Sequence, residues 1–167
     1  GLDSDVFLIW ILFILVIYLL NFFNNLYLGD NGAYIFGFFY SFLLISIFNS
    51  NNTISPYFII LLLWYPGFEN LFSILRKMNI KKKSPLLADP KHLHQLMFIY
   101  LNKNFLKKKI NANLVISHII NAYNFLIIFF ASKNPSDTDF QLMLIIFNII
   151  VYTSTYFILL KKLKKNQ

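Results

Sequence analysis

The sequence contains no cysteine, so neither a disulfide framework nor a thiolate metal site can be built from it. Charge is scarce as well. Only 13% of residues are Asp, Glu, Lys or Arg, against roughly a quarter in an ordinary soluble domain. No short signal-peptide pattern with a small-residue cleavage site is visible at the N-terminus. Nor is there an internal repeat of the kind that builds many transporters. Histidine occurs three times, which makes the closeness of two of them, His92 and His94, a first pointer to chemistry.

What is abundant is apolar surface. Hydrophobic residues make up 57% of the chain and aromatics 19%, with a mean hydropathy of +0.59. They come in long blocks, which favours a membrane protein over a water-soluble core. A helix needs about 20 mostly apolar residues to cross the hydrocarbon. On that basis the chain is expected to be all-α: a polytopic membrane helix bundle of about five transmembrane helices, over residues 6–28, 33–50, 57–76, 114–132 and 140–160. The third is interrupted by Pro66-Gly67 and Glu69. Polar, turn-rich separators lie at 49–56 and 133–139.

Charge sets the expected direction. Arg76, Lys77, Lys81, Lys82, Lys83, Lys91, Lys103, Lys107, Lys108 and Lys109 all fall between the third and fourth spans, and Lys161, Lys162, Lys164 and Lys165 follow the fifth. Cationic loops stay cytoplasmic. Counting crossings puts the N-terminus outside and the C-terminus inside, with a cytoplasmic loop over 77–113, in the cytoplasmic (inner) membrane. Asp3, Asp5, Lys133, Asp137 and Asp139 fall on the outer side, where Asp3 reads as a solvated loop residue. The same count brings Asp30 and the histidine loop to one cytoplasmic face. The net charge of +8 is then mostly a topology signal, although basic loops also attract anionic head groups. No soluble basic domain remains to bind nucleic acid.

Asp30 sits in Gly29-Asp30-Asn31-Gly32, between two apolar stretches. As an N-cap it would open the second span. As a ligand it would supply a carboxylate to Mg²⁺, which takes oxygen donors and shares substrate phosphates. Gly29 and Gly32, lacking Cβ, would admit a phosphate to the backbone, and a helix N-terminus favours anions.

His92 and His94 would face a common ligand only where the backbone is extended or turning, and Pro90 upstream marks a turn or helix start. Solvated loop histidines are the plain reading. The functional one is a polar clamp for a diphosphate, with Lys91 adding charge. Two histidines without cysteine fall short of a zinc ligand set. Asp89 reads as a cap for a helix beginning near Lys91. Leu93, Leu96, Met97, Tyr100 and Leu101 fall at helical spacing, as in an amphipathic helix lying on the membrane. Glu69 is expected to reach the interface or pair with a cation such as Arg76. His118, Asn121 and Asn124 form a stripe suited to interhelical hydrogen bonds.

Three motifs, in this order, carry a family resemblance: Leu28-Gly29-Asp30-Asn31-Gly32-Ala33-Tyr34; Trp64-Tyr65-Pro66-Gly67-Phe68-Glu69-Asn70 running on to Arg76-Lys77; and Ser84-Pro85-Leu86-Leu87-Ala88-Asp89-Pro90-Lys91-His92-Leu93-His94-Gln95. The chain resembles the C-terminal half of the polyprenyl-phosphate N-acetylhexosamine-1-phosphate transferases (glycosyltransferase family 4), the group that includes the undecaprenyl-phosphate N-acetylglucosamine-1-phosphate transferase. The resemblance implies one membrane-embedded transferase domain over 1–167, acting in the first membrane step of cell-envelope glycan synthesis. Asp30 would be catalytic and hold Mg²⁺ (Mn²⁺ as a substitute). His92 and His94 would be catalytic, with Gly29, Gly32 and Lys91 binding substrate. Gln95 replaces the family's usual third histidine. A UDP-N-acetylhexosamine and polyprenyl phosphate would be the partners within the lipid bilayer, with a homodimer admitted. The family's paired aspartates lie upstream of these motifs, so this chain by itself is expected to turn over no substrate. The alternatives are a non-catalytic membrane scaffold or degenerate relative of the family, and a transporter.

Overall fold

The computed structural model describes residues 4–23, 25–26, 29–79, 91–104 and 109–165, with the side chains at 4–7, 30, 79, 104 and 109–111 excluded. Asp3, Lys81, Lys82, Lys83, Asp89, Lys107 and Lys108, which bear on the expectations above, lie outside the described residues. All described secondary structure is helical. It falls into two compact units, residues 1–50 and 51–167.

The first unit is a pair of helices, α1 (Ser4–Phe22) and α2 (Gly29–Ser50). Trp10 meets Phe39 at 5.1 Å and Phe13 meets Phe36 at 6.4 Å between ring centroids. These pairings run in opposite directions, so the helices are antiparallel. The Leu20 carbonyl accepts from the N–H groups of Asn25 and Leu26, closing α1 where the asparagine-rich run begins. The first expected span, 6–28, therefore forms a helix that ends at Phe22.

The second unit holds α3 (Pro56–Leu62), α4 (Trp64–Asn79), α5 (Leu93–Asn104), α6 (Lys109–Ala131) and α7 (Thr138–Lys165). Ser55 caps α3, its hydroxyl accepting from the Tyr57 N–H at 3.3 Å, and Pro56 occupies the first helical position, where no N–H is needed. The Ser55 N–H donates to the Pro135 carbonyl at 2.9 Å, and the Thr138 hydroxyl lies 3.3 Å from that of Ser55. The two polar separators thus meet at one end of this unit.

The third expected span is broken. Its two helices, α3 and α4, are bent by 80° at Leu63, three residues before the Pro66 that suggested an interruption. The displacement has a steric cause. A helix running through 62–66 would set the proline ring against the Leu62 carbonyl and lose that hydrogen bond. Restarting at Trp64 places Pro66 in the first turn of α4, where orphan N–H groups are normal.

Three described helices are long and apolar enough to cross a membrane: Asn31–Ser50, Ala112–Ala131 and Thr138–Lys165. A fourth span is counted if the bent pair is one, and Leu8–Phe22 is a shorter apolar helix. The burial pattern of α4 agrees with a lipid setting. Glu69, Ser73, Arg76 and Lys77 are buried on one face, while Leu71, Ile74, Leu75 and Met78 are exposed on the other. A water-soluble helix has the opposite polarity.

Buried amides close the α6–α7 turn. Gln141 is fully buried, and its Nε2 donates to the carbonyls of Ala131 at 2.9 Å and Asn134 at 2.8 Å. The Ala131 carbonyl is among those the end of α6 leaves without an intrahelical partner. Deeper along α7, Asn148 accepts from the Tyr123 hydroxyl and donates to the Leu144 carbonyl. Replacing Gln141→Leu leaves the two carbonyls unsatisfied and should lower unfolding stability by about 1–3 kcal/mol. Thermal unfolding in detergent micelles reads this, and an unshifted transition would mean that another group closes the turn.

Candidate functional site

The site is organised by the start of α5. A helix N-terminus presents unpaired N–H groups, and here two acceptors meet them. Glu69 Oε1, from α4, accepts from the Leu93 N–H at 2.8 Å. Gln95 Oε1 turns back to accept from the His92 N–H at 3.1 Å, the returning half of a capping box. His92 therefore stands at the cap position, and the helix begins at Leu93 rather than near Lys91.

The same Glu69 oxygen lies 3.1 Å from His92 Nδ1. An ionised carboxylate only accepts, so beside ionised Glu69 the ring proton belongs on Nδ1, which leaves Nε2 for other work. Glu69 is buried, with a side chain 8% exposed against 23% for His92. Arg76, suggested above as its partner, lies instead over the Tyr156 ring at 5.3 Å. The phenols of Tyr65 and Tyr152 stand close enough to feel the Glu69 charge. Yet Glu69 Oε2 and the Tyr65 hydroxyl are buried outside hydrogen-bond geometry.

His94 is brought beside His92, their rings 5.6 Å apart and inclined by 11°. Two residues apart on one helix they would diverge. Because His92 precedes the helix and His94 lies within it, the turning backbone stacks them. Lys91, just before the pair, is exposed. The apolar face of α5 is packed against protein rather than lying on lipid: Leu93 and Leu96 join Tyr152, Tyr156 and Leu159 of α7 in a core, with Met97 and Tyr100 against it.

His94 also opens on a cavity of about 430 Å³. Tyr65, His94, Gln95 and Phe98 line it on one side, and Asn113, Ile116, Ser117, Ile120 and Asn121 of α6 on the other. Asn121, grouped above with His118 and Asn124, thus belongs with Asn113 and Ser117. Burial holds the His94 imidazole below its ordinary pKa, a fall that the Glu69 charge opposes and the neighbouring His92 reinforces.

Asp30 lies in the first unit, as the second residue of α2, and its side chain is not among those described. It stands inside the first turn rather than at a cap, where the helix dipole favours a carboxylate. Gly29 has φ +63° with nothing within 4 Å of where a Cβ would be, so left-handed backbone, not crowding, calls for glycine there. Gly32 sits in the same turn.

Among the described residues no three His, Asp or Glu side chains gather to hold a metal. The Glu69–His92–His94 group does not itself fit Mg²⁺, which wants an octahedron of oxygens. It offers one carboxylate, and Oε1 of that carboxylate is already engaged. No protein-family model, curated protein or solved structure matches this chain.

Sequence reasoning missed how Glu69 is used, although the signal was there: it is the chain's sole glutamate, set in an apolar span. The polar row Asn113-Ser117-Asn121 was readable at helical spacing too. Because the fold disfavours protonated His94, the unfolded chain takes up that proton first. The stability at stake is whole above about pH 6.5 and is lost as pH falls through that value toward the lowered native one. Melting temperatures between pH 5 and 8 should show this acid-side loss, and His94→Asn should shrink it. An unchanged pH profile in the variant would remove His94 as its source.

Proposed function

We propose that this chain contributes to the transfer of an N-acetylhexosamine-1-phosphate from a UDP-sugar to polyprenyl phosphate at the inner face of a membrane. One observation carries the reading: a stacked imidazole pair, fixed by a buried carboxylate and preceded by an exposed lysine, lies beside a cavity in an apolar helix bundle.

In this reaction an oxygen of the lipid phosphate attacks the β-phosphorus of the UDP-sugar. The bond from that phosphorus to the bridging oxygen breaks, and UMP leaves with the electron pair. Phosphoryl chemistry of this kind depends on alignment and charge stabilisation. His92, with its Nδ1 proton engaged by Glu69, would meet the diphosphate through Nε2, which donates to a phosphate oxygen only when the ring takes a second proton and becomes the imidazolium. His94 holds a second oxygen, and Lys91 supplies positive charge. Asp30, in the first turn of α2, is the proposed ligand of Mg²⁺, which when bound neutralises diphosphate charge.

The proposed arrangement has five crossings, with the N-terminus outside and the C-terminus inside. It is supported by the joined separators around Ser55 and Pro135, which the charge count assigns to one outer face, and by Lys162, Lys164 and Lys165 in the last turn at the other end of α7.

The test is UMP release by the full-length protein in detergent micelles, given a UDP-N-acetylhexosamine, polyprenyl phosphate and Mg²⁺. Asp30→Asn and His92→Ala should each lower turnover by about a hundredfold or more. Wild-type rates in both variants would contradict the assignment. No release by the unaltered protein would favour the scaffold alternative.

A further inference from the structure

Helices α5 and α7 end together. Leu93 and Met97 border one small cavity with Tyr152 and Thr155, and farther along Tyr100 meets Lys162, so the two helices run in the same direction. The Lys162 ammonium lies 3.4 Å from the Tyr100 hydroxyl and 5.3 Å from the centre of its ring. An ammonium offers three protons, of which the phenol takes one. Around this contact the shared end carries the exposed lysines Lys103 on α5 and Lys161, Lys162, Lys164 and Lys165 on α7.

Helix dipoles favour cations at C-termini, and topology gathers them at one membrane face. Neither decides what the ammonium groups meet. Their setting does. Ile99 is 46% exposed, Phe157 51% and Ile158 55%, and each stands one helical turn before a lysine, Lys103, Lys161 and Lys162 respectively. On each row an apolar side chain therefore lies about 6 Å below a cation along the helix axis. The apolar stretch of α7 is long enough to cross a membrane, so side chains exposed on it face acyl chains, and the lysine stems one turn on carry charge to the headgroups. Lysines three and four residues apart on α7 also repel one another, a cost that a bound anion relieves. A soluble phosphate would engage the cations alone. A phospholipid engages both layers.

We infer that the joined ends of α5 and α7 form a docking site for an anionic phospholipid, its phosphate held by Lys103 and Lys162 and its acyl chains lying along Ile99 and Ile158. The inference does not rest on the transferase reading. A lipid held there ties the end of α5 to α7, and α5 is the helix that opens with the stacked histidines.

The test is thermal unfolding of the full-length protein in neutral detergent micelles, titrated with short-chain phosphatidylglycerol. The transition should rise with lipid and saturate, as binding to the folded state requires. Phosphatidylcholine of the same chains, which has no net charge, and inorganic phosphate, which has no chains, should each leave it in place. Each variant is read against its own lipid-free transition, so that any change in stability from the substitution itself cancels. Lys162→Gln and Lys103→Gln should each raise the half-saturating mole fraction of phosphatidylglycerol about fivefold, the worth of one lysine at an anionic surface. Lys162→Arg should retain the affinity. So should Lys133→Gln, which removes a cation from the turn at the opposite end of α7. The site is overturned if phosphatidylglycerol produces no rise, if phosphatidylcholine or phosphate matches it, if both Gln variants keep full affinity, or if Lys133→Gln weakens binding as much as they do.

Discussion

A single carboxylate oxygen holds the centre of this structure together. Glu69 Oε1 is shared between the Leu93 N–H and the His92 ring, so one atom fixes where α5 begins and how the first imidazole is turned. Burying a carboxylate is costly unless it is paired and hydrogen-bonded. Here Oε1 is hydrogen-bonded twice while Oε2 is buried outside hydrogen-bond geometry, and the two partners of Oε1 are the groups that most need placing. Removing it would leave a helix end uncapped and a histidine unoriented at once. The bend at Leu63 belongs to the same constraint, because the position of Glu69 follows from where α4 starts. Pro66 fixes that start by its ring sterics and its missing N–H.

The surroundings work by a polarity that would fail in water. Polar residues of α4 face inward and its leucines and isoleucine face outward. In hydrocarbon, backbone and side-chain polar groups have no water to turn to and must be satisfied within the protein. Gln141 does this for the end of α6, and Asn148 with Tyr123 does it between α6 and α7. Such contacts fix the register of α6 against α7, and so of the walls on which the site residues stand.

Much of this was legible from composition and spacing. Apolar blocks of nearly twenty residues announced helices, and most of the expected spans coincide with one. The stacked histidines were foreseeable from Pro90 and the two-residue spacing, given a turning backbone. Other features needed three dimensions. The partner of Glu69 lies 23 residues away, beyond any helical period, and no local rule prefers His92 to the nearer Arg76. The apolar face of α5 has the same spacing whether it meets lipid or α7, so its sequence could not choose. Asn113 and Asn121 have the spacing of interhelical glue, and only the folded chain shows them lining one cavity with His94.

The central claim is that Glu69 sets the state of the His92 ring, and the ring nitrogens report this directly. Nitrogen-15 NMR of histidine-labelled protein in micelles, at a pH where the imidazoles are neutral, distinguishes which nitrogen carries the proton. With only three histidines, single replacements assign each signal. The account predicts that His92 is protonated at Nδ1 with Nε2 bare, and that Glu69→Gln moves the His92 signals while leaving those of His118 in place. A His92 ring protonated at Nε2, with signals indifferent to residue 69, would contradict it.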